Sequence, residues 1–147
     1  MSRLSRLSLV LFLLIPVLAA SCGKKTQDTT VQTQQPASKV AVTTVELGRS
    51  VGADGRITDR VDAFKPTDVI YASVSTTGAS ASSVLRARWT FQDGQLVDQS
   101  ERTIAPSGDA VTEFHISKPD GWPTGKYKVE VFVDGNSSQS RDFEVKR

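Results

Sequence analysis

Val84-Leu-Arg-Ala-Arg-Trp-Thr-Phe91 is the stretch of sequence that decides the fold class. Its residues alternate between two sets, the apolar Leu85, Ala87, Trp89 and Phe91 and the polar Arg86, Arg88 and Thr90. Because successive side chains of a β-strand point to opposite faces, this alternation predicts a strand with one face in a core and the other in solvent. Asp93-Gly94, which follows, is a hairpin signal, so a return strand is predicted from Leu96 to Ile104.

Three more strands are predicted downstream. The first runs from Val111 to Ile116 and turns Phe114 inward. The next runs from Tyr127 to Val133, and its inward set is Tyr127, Val129, Val131 and Val133. Asp134-Gly135-Asn136 marks another hairpin, after which Phe143 and Val145 lie on the last strand.

Two strands are predicted upstream, Val40–Val45 and Asp68–Ser75. Gly48–Asp62 is predicted as a loop, and Thr76–Ser83 as a loop or a weak edge strand. No window has the three-and-four spacing of an amphipathic helix. About seven short strands, roughly ten residues apart, predict an all-β antiparallel sandwich over residues 40–147.

The positions of two aromatic residues sharpen this prediction. Trp89 falls on the third strand, and Tyr127 opens the penultimate one, an arrangement that resembles the immunoglobulin and fibronectin-type-III superfold over residues 42–147. The segment Gly121-Trp-Pro-Thr-Gly-Lys-Tyr127 resembles the turn before the penultimate strand of many bacterial domains of this type. The resemblance implies that the Tyr127 ring packs inward while its hydroxyl caps a backbone group. It implies nothing about activity.

The first 21 residues have a different composition. Arg3 and Arg6 give a positive start, the run from Leu9 to Ala20 is apolar apart from Pro16, and small residues precede Cys22. This order predicts a secretory signal over residues 1–21. The apolar run is about a dozen residues long, whereas a membrane span needs about 20.

Leu18-Ala-Ala-Ser-Cys22 resembles the lipobox of bacterial lipoproteins, although Ala19 stands where a larger aliphatic residue is commoner. The resemblance implies that Cys22 is joined to diacylglycerol and becomes the acylated N-terminus, so that the protein attaches to a membrane of the cell envelope. The alternative is a free thiol after an ordinary signal, which would invite cross-linking in an oxidising compartment. The resemblance to Gram-negative lipoproteins implies that an aspartate after the cysteine would retain the protein in the inner membrane, so Gly23 at this position favours the outer membrane, facing the periplasm, in an organism that has one.

Residues 22–39 are predicted to form a flexible tether. Gly23–Ser38 is rich in Thr, Gln and Lys, and Val31 is its only bulky apolar residue. Such a segment cannot bury enough surface to offset its ordering entropy. The predicted organisation is therefore a signal peptide (1–21), a lipidated tether (22–39) and a β-sandwich (40–147).

Charge and composition argue against several functions. The net charge of +2 is accounted for by Arg3 and Arg6, and without them 16 basic residues balance 16 acidic ones. No basic stripe follows a strand or turn, so we expect no binding to nucleic acid. The sequence also lacks a phosphate-binding glycine loop and a nucleophile elbow. We therefore expect neither a cofactor nor an enzyme.

Two features could still hold a metal ion. His115, the only histidine, alternates away from Phe114 and Ile116 and should face solvent without partners at metal-binding spacing. The four aspartates of the 52–68 region could be calcium ligands or turn residues, and they are Asp54, Asp59, Asp62 and Asp68. The missing alternation of oxygen ligands favours turns.

Three functions remain after these exclusions. The leading interpretation is a non-catalytic module of the cell envelope that binds a protein partner or serves as an accessory subunit. The alternative is a module that binds a small ligand or a cell-wall glycan through exposed aromatics such as Trp122. A small hydrolase without a recognisable catalytic motif is the third and the least favoured.

The candidate interaction residues are Arg86, Arg88, Glu130, Phe132 and Trp122. The strands Val84–Phe91 and Tyr127–Val133 are predicted neighbours, so the first four of these residues share an outward face. Glu130 is expected to pair with an arginine across the ladder. Phe132 is a large ring where alternation places polar residues, and it is either covered by a loop or the tether, or available for binding.

Overall fold

A computed structural model describes residues 39–147, and the predicted signal, lipid-bearing Cys22 and most of the tether lie outside these residues. The strands are β1 (Val40–Gly48), β2 (Ala63–Phe64), β3 (Ile70–Gly78), β4 (Ser83–Phe91), β5 (Gln95–Ile104), β6 (Ala110–Ile116), β7 (Gly125–Val133) and β8 (Asn136–Val145). Residues 39–147 contain no helix, and so none that is long and apolar enough to cross a membrane.

Two sheets pack face to face. One has the strand order β1-β3-β6, and the other has the order β2-β8-β7-β4-β5. Neighbouring strands are antiparallel except for β2 and β8, which are parallel. The prediction of an all-β sandwich is confirmed, and β4 and β7 are neighbours as expected.

The period-two pattern of the sequence produces the core. In β4 and β7 every second residue is buried, and Trp89 at the centre has no exposed surface. Its ring meets Phe143 edge-on at a centroid distance of 6.0 Å. Burying each such large apolar side chain contributes about 1.5–3 kcal/mol. The turn between β7 and β8 is a tight hairpin, with φ of 48° at Asp134 and 84° at Gly135, which suits the predicted Asp-Gly signal.

The prediction of loops around the first strands is partly wrong. β1 continues to Gly48 and β3 to Gly78, beyond their predicted ends. The segment 49–61 forms a hairpin arm held by the bridge Val51–Ile57 and by the bridge from Gly48 to Arg60. A Cβ at Gly55 would lie 3.6 Å from Val111 Cγ1 on β6, so the arm crosses the outer face of the three-stranded sheet.

β2 was not predicted, because two residues are too few to give a periodic pattern. The strand is held by two backbone hydrogen bonds from the β8 segment, from Glu144 N to Asp62 O (3.0 Å) and from Lys146 N to Phe64 O (2.9 Å). Phe64 is almost fully buried, and its ring meets Phe143 edge-on at 5.4 Å. The short strand therefore completes the core on the β8 side.

Gln139 joins the two sheets where β1 passes β8. The register of β1 against β3 shifts between Val42 and Thr44, which leaves Thr43 as an extra residue in a β-bulge. Gln139 Nε2 donates to the carbonyl oxygens of Val42 (3.1 Å) and Thr43 (3.2 Å). The side chain thus supplies hydrogen bonds to two backbone carbonyl groups at the bulge.

Candidate interaction surface

The outer face of the five-stranded sheet brings four of the predicted residues together. In the β4–β7 ladder, Arg86 lies opposite Phe132, and Arg88 lies opposite Glu130. Their neighbours on these strands, such as Leu85 and Val131, are buried in the core. Alternation therefore places the four side chains on one surface, as the sequence predicted.

Arg86 is the centre of this surface. Its Cζ atom lies 5.8 Å from the centroid of the Phe132 ring, and its Nε is 2.7 Å from Glu101 Oε1 on β5. A cation over an aromatic ring contributes about 0.5–1 kcal/mol at an exposed site. Phe132 is half-buried, and the guanidinium of Arg86 lies over its ring. The arm described above lies on the other sheet.

Glu130 does not form the expected ion pair with an arginine. It accepts a hydrogen bond from Ser137 Oγ on β8 instead, because the β7–β8 hairpin brings that hydroxyl over the carboxylate. Arg88 forms no ion pair with any residue in the range 39–147. It lines an open polar depression of about 550 Å³ together with Lys126, Lys128 and Asp142. The surface therefore presents an unpaired guanidinium beside the Arg86–Phe132 pair.

The expectation that Trp122 presents an exposed ring is wrong. Its side chain is only 6% exposed, because the indole packs edge-on against Tyr127 at 6.2 Å. The indole Nε1 donates to Asp68 O (3.0 Å), and the backbone N–H donates to Pro66 O (2.8 Å). Trp122 is part of the core and is not on the face of Arg86 and Phe132. A single tryptophan between Gly121 and Pro123 gives no periodic signal that could have revealed this.

A groove of about 620 Å³ opens between the edges of the two sheets, where β5 faces β6. Phe91, Trp122 and Tyr127 contribute to its lining, and Leu96, His115 and Lys118 stand at exposed positions around it. Leu96 is 54% exposed, the highest value for a large hydrophobic residue between residues 39 and 147. Trp122 and Tyr127 are both nearly buried, so they do not offer a stacking platform for a sugar ring.

His115 lies on the solvent side of β6, as predicted. Its Nδ1 is 2.7 Å from Glu113 Oε1, and its ring lies 5.4 Å from that of Tyr71 on the neighbouring strand. Within residues 39–147, no group of three or more His, Cys, Asp and Glu side chains is placed to hold a metal ion.

The four aspartates of the 52–68 region each have a partner. Asp54 accepts from Arg56 N (3.1 Å) and Asp68 from Lys65 N (2.8 Å), which are turn contacts. Asp59 binds Arg49 at 2.8 Å, and this hydrogen bond raises the pKa of the Arg49 guanidinium. Asp62 lies 3.6 Å from Arg141. These contacts give the aspartates roles in the arm and at β2.

The chain matches no protein-family model, and no curated protein matches its sequence. Among solved structures, it is similar to an immunoglobulin-like protein from Pseudomonas aeruginosa, with 15% identity and a TM-score of 0.52 over 74% of this chain and 98% of that one. It is also similar to the C-terminal domain of wzt, with 10% identity and a TM-score of 0.51 over 75% of each chain. The fold is an immunoglobulin-like β-sandwich.

A third similar structure belongs to a longer protein, the alkylpurine DNA glycosylase AlkC from Pseudomonas fluorescens. The identity is 13% and the TM-score 0.46, over 75% of this chain but only 31% of that one. Similarity at such low identity concerns the fold alone.

Proposed function

We propose that this protein is a lipid-anchored module of the cell envelope that binds a protein partner through the outer face of its five-stranded sheet. The surface consists of Arg86, Arg88, Glu130 and Phe132, and we call it the β4–β7 face. The module is non-catalytic in this proposal and acts as an accessory component of a larger assembly.

The observation that carries the proposal is the cation–π pair of Arg86 and Phe132, with the Cζ atom 5.8 Å from the ring centroid. Arginine and aromatic residues are enriched at the energetic centres of protein interfaces. Phe132 is a half-buried ring on the solvent side of a strand, where the core gains nothing from it. A partner that covered this ring would also desolvate the ion pair between Arg86 and Glu101, which strengthens its Coulomb attraction but removes both charges from water.

The anchoring part of the proposal is supported by the sequence. The signal-like segment ends in Leu18-Ala-Ala-Ser-Cys22, and a polar stretch then leads to Val40, where β1 begins. Each buried methylene of an acyl chain contributes about 0.8 kcal/mol, so two or three chains on Cys22 would hold the protein at the membrane. We propose the outer membrane, on its periplasmic side, if the cell has one.

The contacts of the polar residues support a non-catalytic role. His115 is engaged with Glu113 and Tyr71, and the aspartates of the 52–68 region are engaged in turns and ion pairs. The wide groove beside β5 keeps a ligand-binding function as the second candidate, because its volume of about 620 Å³ is that of a small-molecule site.

The proposal is tested by capturing the partner from cells that express the full chain. Cross-linking followed by purification should recover one major protein with the wild type, and Phe132→Ser should reduce its yield severely. Tyr71→Ser is the matched control, because Tyr71 is a half-buried aromatic on the outer side of the other sheet. It should capture the partner like the wild type.

Thermal unfolding of the same variants distinguishes binding from folding. We expect the melting temperature of Phe132→Ser to stay close to that of the wild type, since the ring is not in the core. Equal capture by Phe132→Ser and the wild type contradicts the proposed face. A large loss of stability in Phe132→Ser also contradicts it, because the ring would then serve the fold.

A further inference from the structure

β5 is the edge strand of the five-stranded sheet, and several of the side chains on its core side are polar, which is unusual. Asp98, Ser100 and Arg102 lie opposite Trp89, Ala87 and Leu85 of β4, which are fully buried. The three β5 residues are therefore on the core side of the sheet, yet all three are polar and two are charged. Asp98 and Arg102 are nevertheless exposed, because β5 is the last strand at this edge of the sheet.

The two charges lack ionic partners in the part of the chain that the structure describes. Asp98 has neither an ion pair nor a side-chain hydrogen bond there. The guanidinium of Arg102 donates to a backbone carbonyl, Glu101 O (3.3 Å), and its Cζ lies 5.9 Å from the ring centroid of Phe114. The two residues are four positions apart on one strand, about 13 Å, so they cannot reach each other.

We propose that β5 pairs antiparallel with β5 of a second copy of this chain, about a two-fold axis at Ser100. In this register Asp98 lies opposite Arg102 of the second copy, and Arg102 lies opposite its Asp98. The pairing therefore forms two ion pairs from side chains that have none. The interface is isologous, which is what a closed dimer requires.

The same register pairs the backbones of the two strands over the stretch from Asp98 to Arg102. The register of β5 against β4 shifts between Leu96 and Asp98, so Leu96 lies on the outer face with Thr90 while Ile104 lies on the core side with Ser83, and the pairing does not match these two residues. The backbone N–H and C=O groups on the free edge gain ladder hydrogen bonds, and the two five-stranded sheets become one continuous sheet.

Charges on an edge strand ordinarily prevent pairing, and here they select one register. Moving the axis from Ser100 to Asp98 would bring the two aspartates together, and moving it to Arg102 would bring the two arginines together. Parallel pairing in register would do both. Like charges directly opposite each other destabilise a ladder. Only the two-fold register at Ser100 joins each aspartate to an arginine.

A cysteine at the axis tests this geometry directly. Opposite Cα atoms in antiparallel strands are about 4.5–5.5 Å apart, which is within the range that a disulfide spans. Purified full chain with Ser100→Cys should form a covalent dimer on mild oxidation, seen by electrophoresis without reductant. The controls are Ser138→Cys, at an exposed position on β8, and the wild type, whose single cysteine is Cys22. Both should stay monomeric or cross-link far less.

Charge exchange tests the register in the same Ser100→Cys background. Asp98→Arg alone and Arg102→Asp alone should each reduce cross-linking several-fold, because each places like charges opposite one another. The double exchange restores opposite charges and should restore the dimer. Sedimentation of the same proteins under reducing conditions measures dimer content without the disulfide, and it should rank the variants in the same order as the cross-linking does.

Each result decides the proposal. Failure of Ser100→Cys to exceed Ser138→Cys overturns it, and so does full cross-linking of either single charge variant. A double exchange that stays as weakly linked as the single variants overturns the register. These results leave the proposed β4–β7 face untouched, since that test measures capture of a different protein by a different surface.

Discussion

The hydroxyl of Tyr127 donates a hydrogen bond of 2.8 Å to the carbonyl oxygen of Pro123, four residues earlier in the chain. The Tyr127 ring is buried and stacks on Phe143 at a centroid distance of 5.3 Å. The ring thus belongs to the core while its polar end fixes the turn that leads into β7. This is the arrangement that the resemblance to immunoglobulin-like domains implied.

Tyr127→Phe should lower the free energy of unfolding by about 0.5–1.5 kcal/mol, the usual net contribution of one hydrogen bond. The change leaves the ring in the core and an unpaired carbonyl at Pro123. Urea unfolding of the full chain measures it. Tyr71→Phe is the control, because the structure shows no hydrogen bond from the Tyr71 hydroxyl within residues 39–147. Equal effects of the two changes would argue against a structural role for the Tyr127 contact.

The stability of the protein should fall in alkaline solution for a related reason. Burial raises the pKa of Tyr127 above its ordinary value of 10.0. The folded state then holds the phenolic proton more tightly than the unfolded state, so this contribution is complete below about pH 10 and is lost as the pH rises through the folded-state pKa.

The advantage of the wild type over Tyr127→Phe should therefore shrink as the pH rises above about 10, the ordinary tyrosine pKa, and through the higher pKa of the folded state. Urea unfolding of both proteins across this range measures it, and the comparison cancels the titration of Tyr71 and the lysines. A difference that is constant with pH would show that Tyr127 ionises equally in both states.

Trp89→Ala should destabilise the domain by about 3–5 kcal/mol, the range for removing a large buried aromatic side chain. Trp89 has no exposed surface and meets Phe143 between the sheets. Arg88→Ala is the control on the opposite side of the same strand, and it should change the stability by less than about 1 kcal/mol. A loss below about 1 kcal/mol for Trp89→Ala would mean that the core tolerates the cavity.

Cys22→Ala should abolish lipid attachment and leave an unprocessed precursor. Metabolic labelling with a fatty-acid analogue measures the attachment, and the size of the protein on a gel measures the processing. Cys22→Ala combined with Ser38→Cys controls for a thiol at another place in the chain and should remain unlabelled. Label in the Cys22→Ala protein would disprove the anchor.

The sequence predicted those parts of the fold that depend on the alternation of apolar and polar residues along a strand. β4 and β7 have their apolar residues at every second position, and the Asp-Gly dipeptides mark the hairpins after each of them. The shared face of Arg86 and Phe132 followed from the same alternation, because neighbouring antiparallel strands align their outward residues.

The parts that were missed depend on single contacts between distant segments. The arm after Gly48 is held by isolated bridges and by the Arg49–Asp59 ion pair, none of which gives a period. Trp122 is buried against Tyr127, and its indole nitrogen is satisfied by Asp68 O, a contact across more than fifty residues of sequence. The partner of Arg86 is Glu101 on β5, since the β4–β5 register and not residue type decides which carboxylate is adjacent.

The contact of Gln139 with Val42 and Thr43 has a mechanical consequence. Tension applied to the chain before Val40 enters the domain through β1, an edge strand whose first residues are paired by β3. Such a force would break the backbone pairing of Val40 to Val42 with β3 one residue at a time. At the bulge, the hydrogen bonds from the Gln139 amide would transmit part of the force to β8 and the larger sheet. When the domain is pulled from this end, the Gln139 hydrogen bonds therefore resist the separation of β1 near the point where the force enters, before the strands of the core begin to separate.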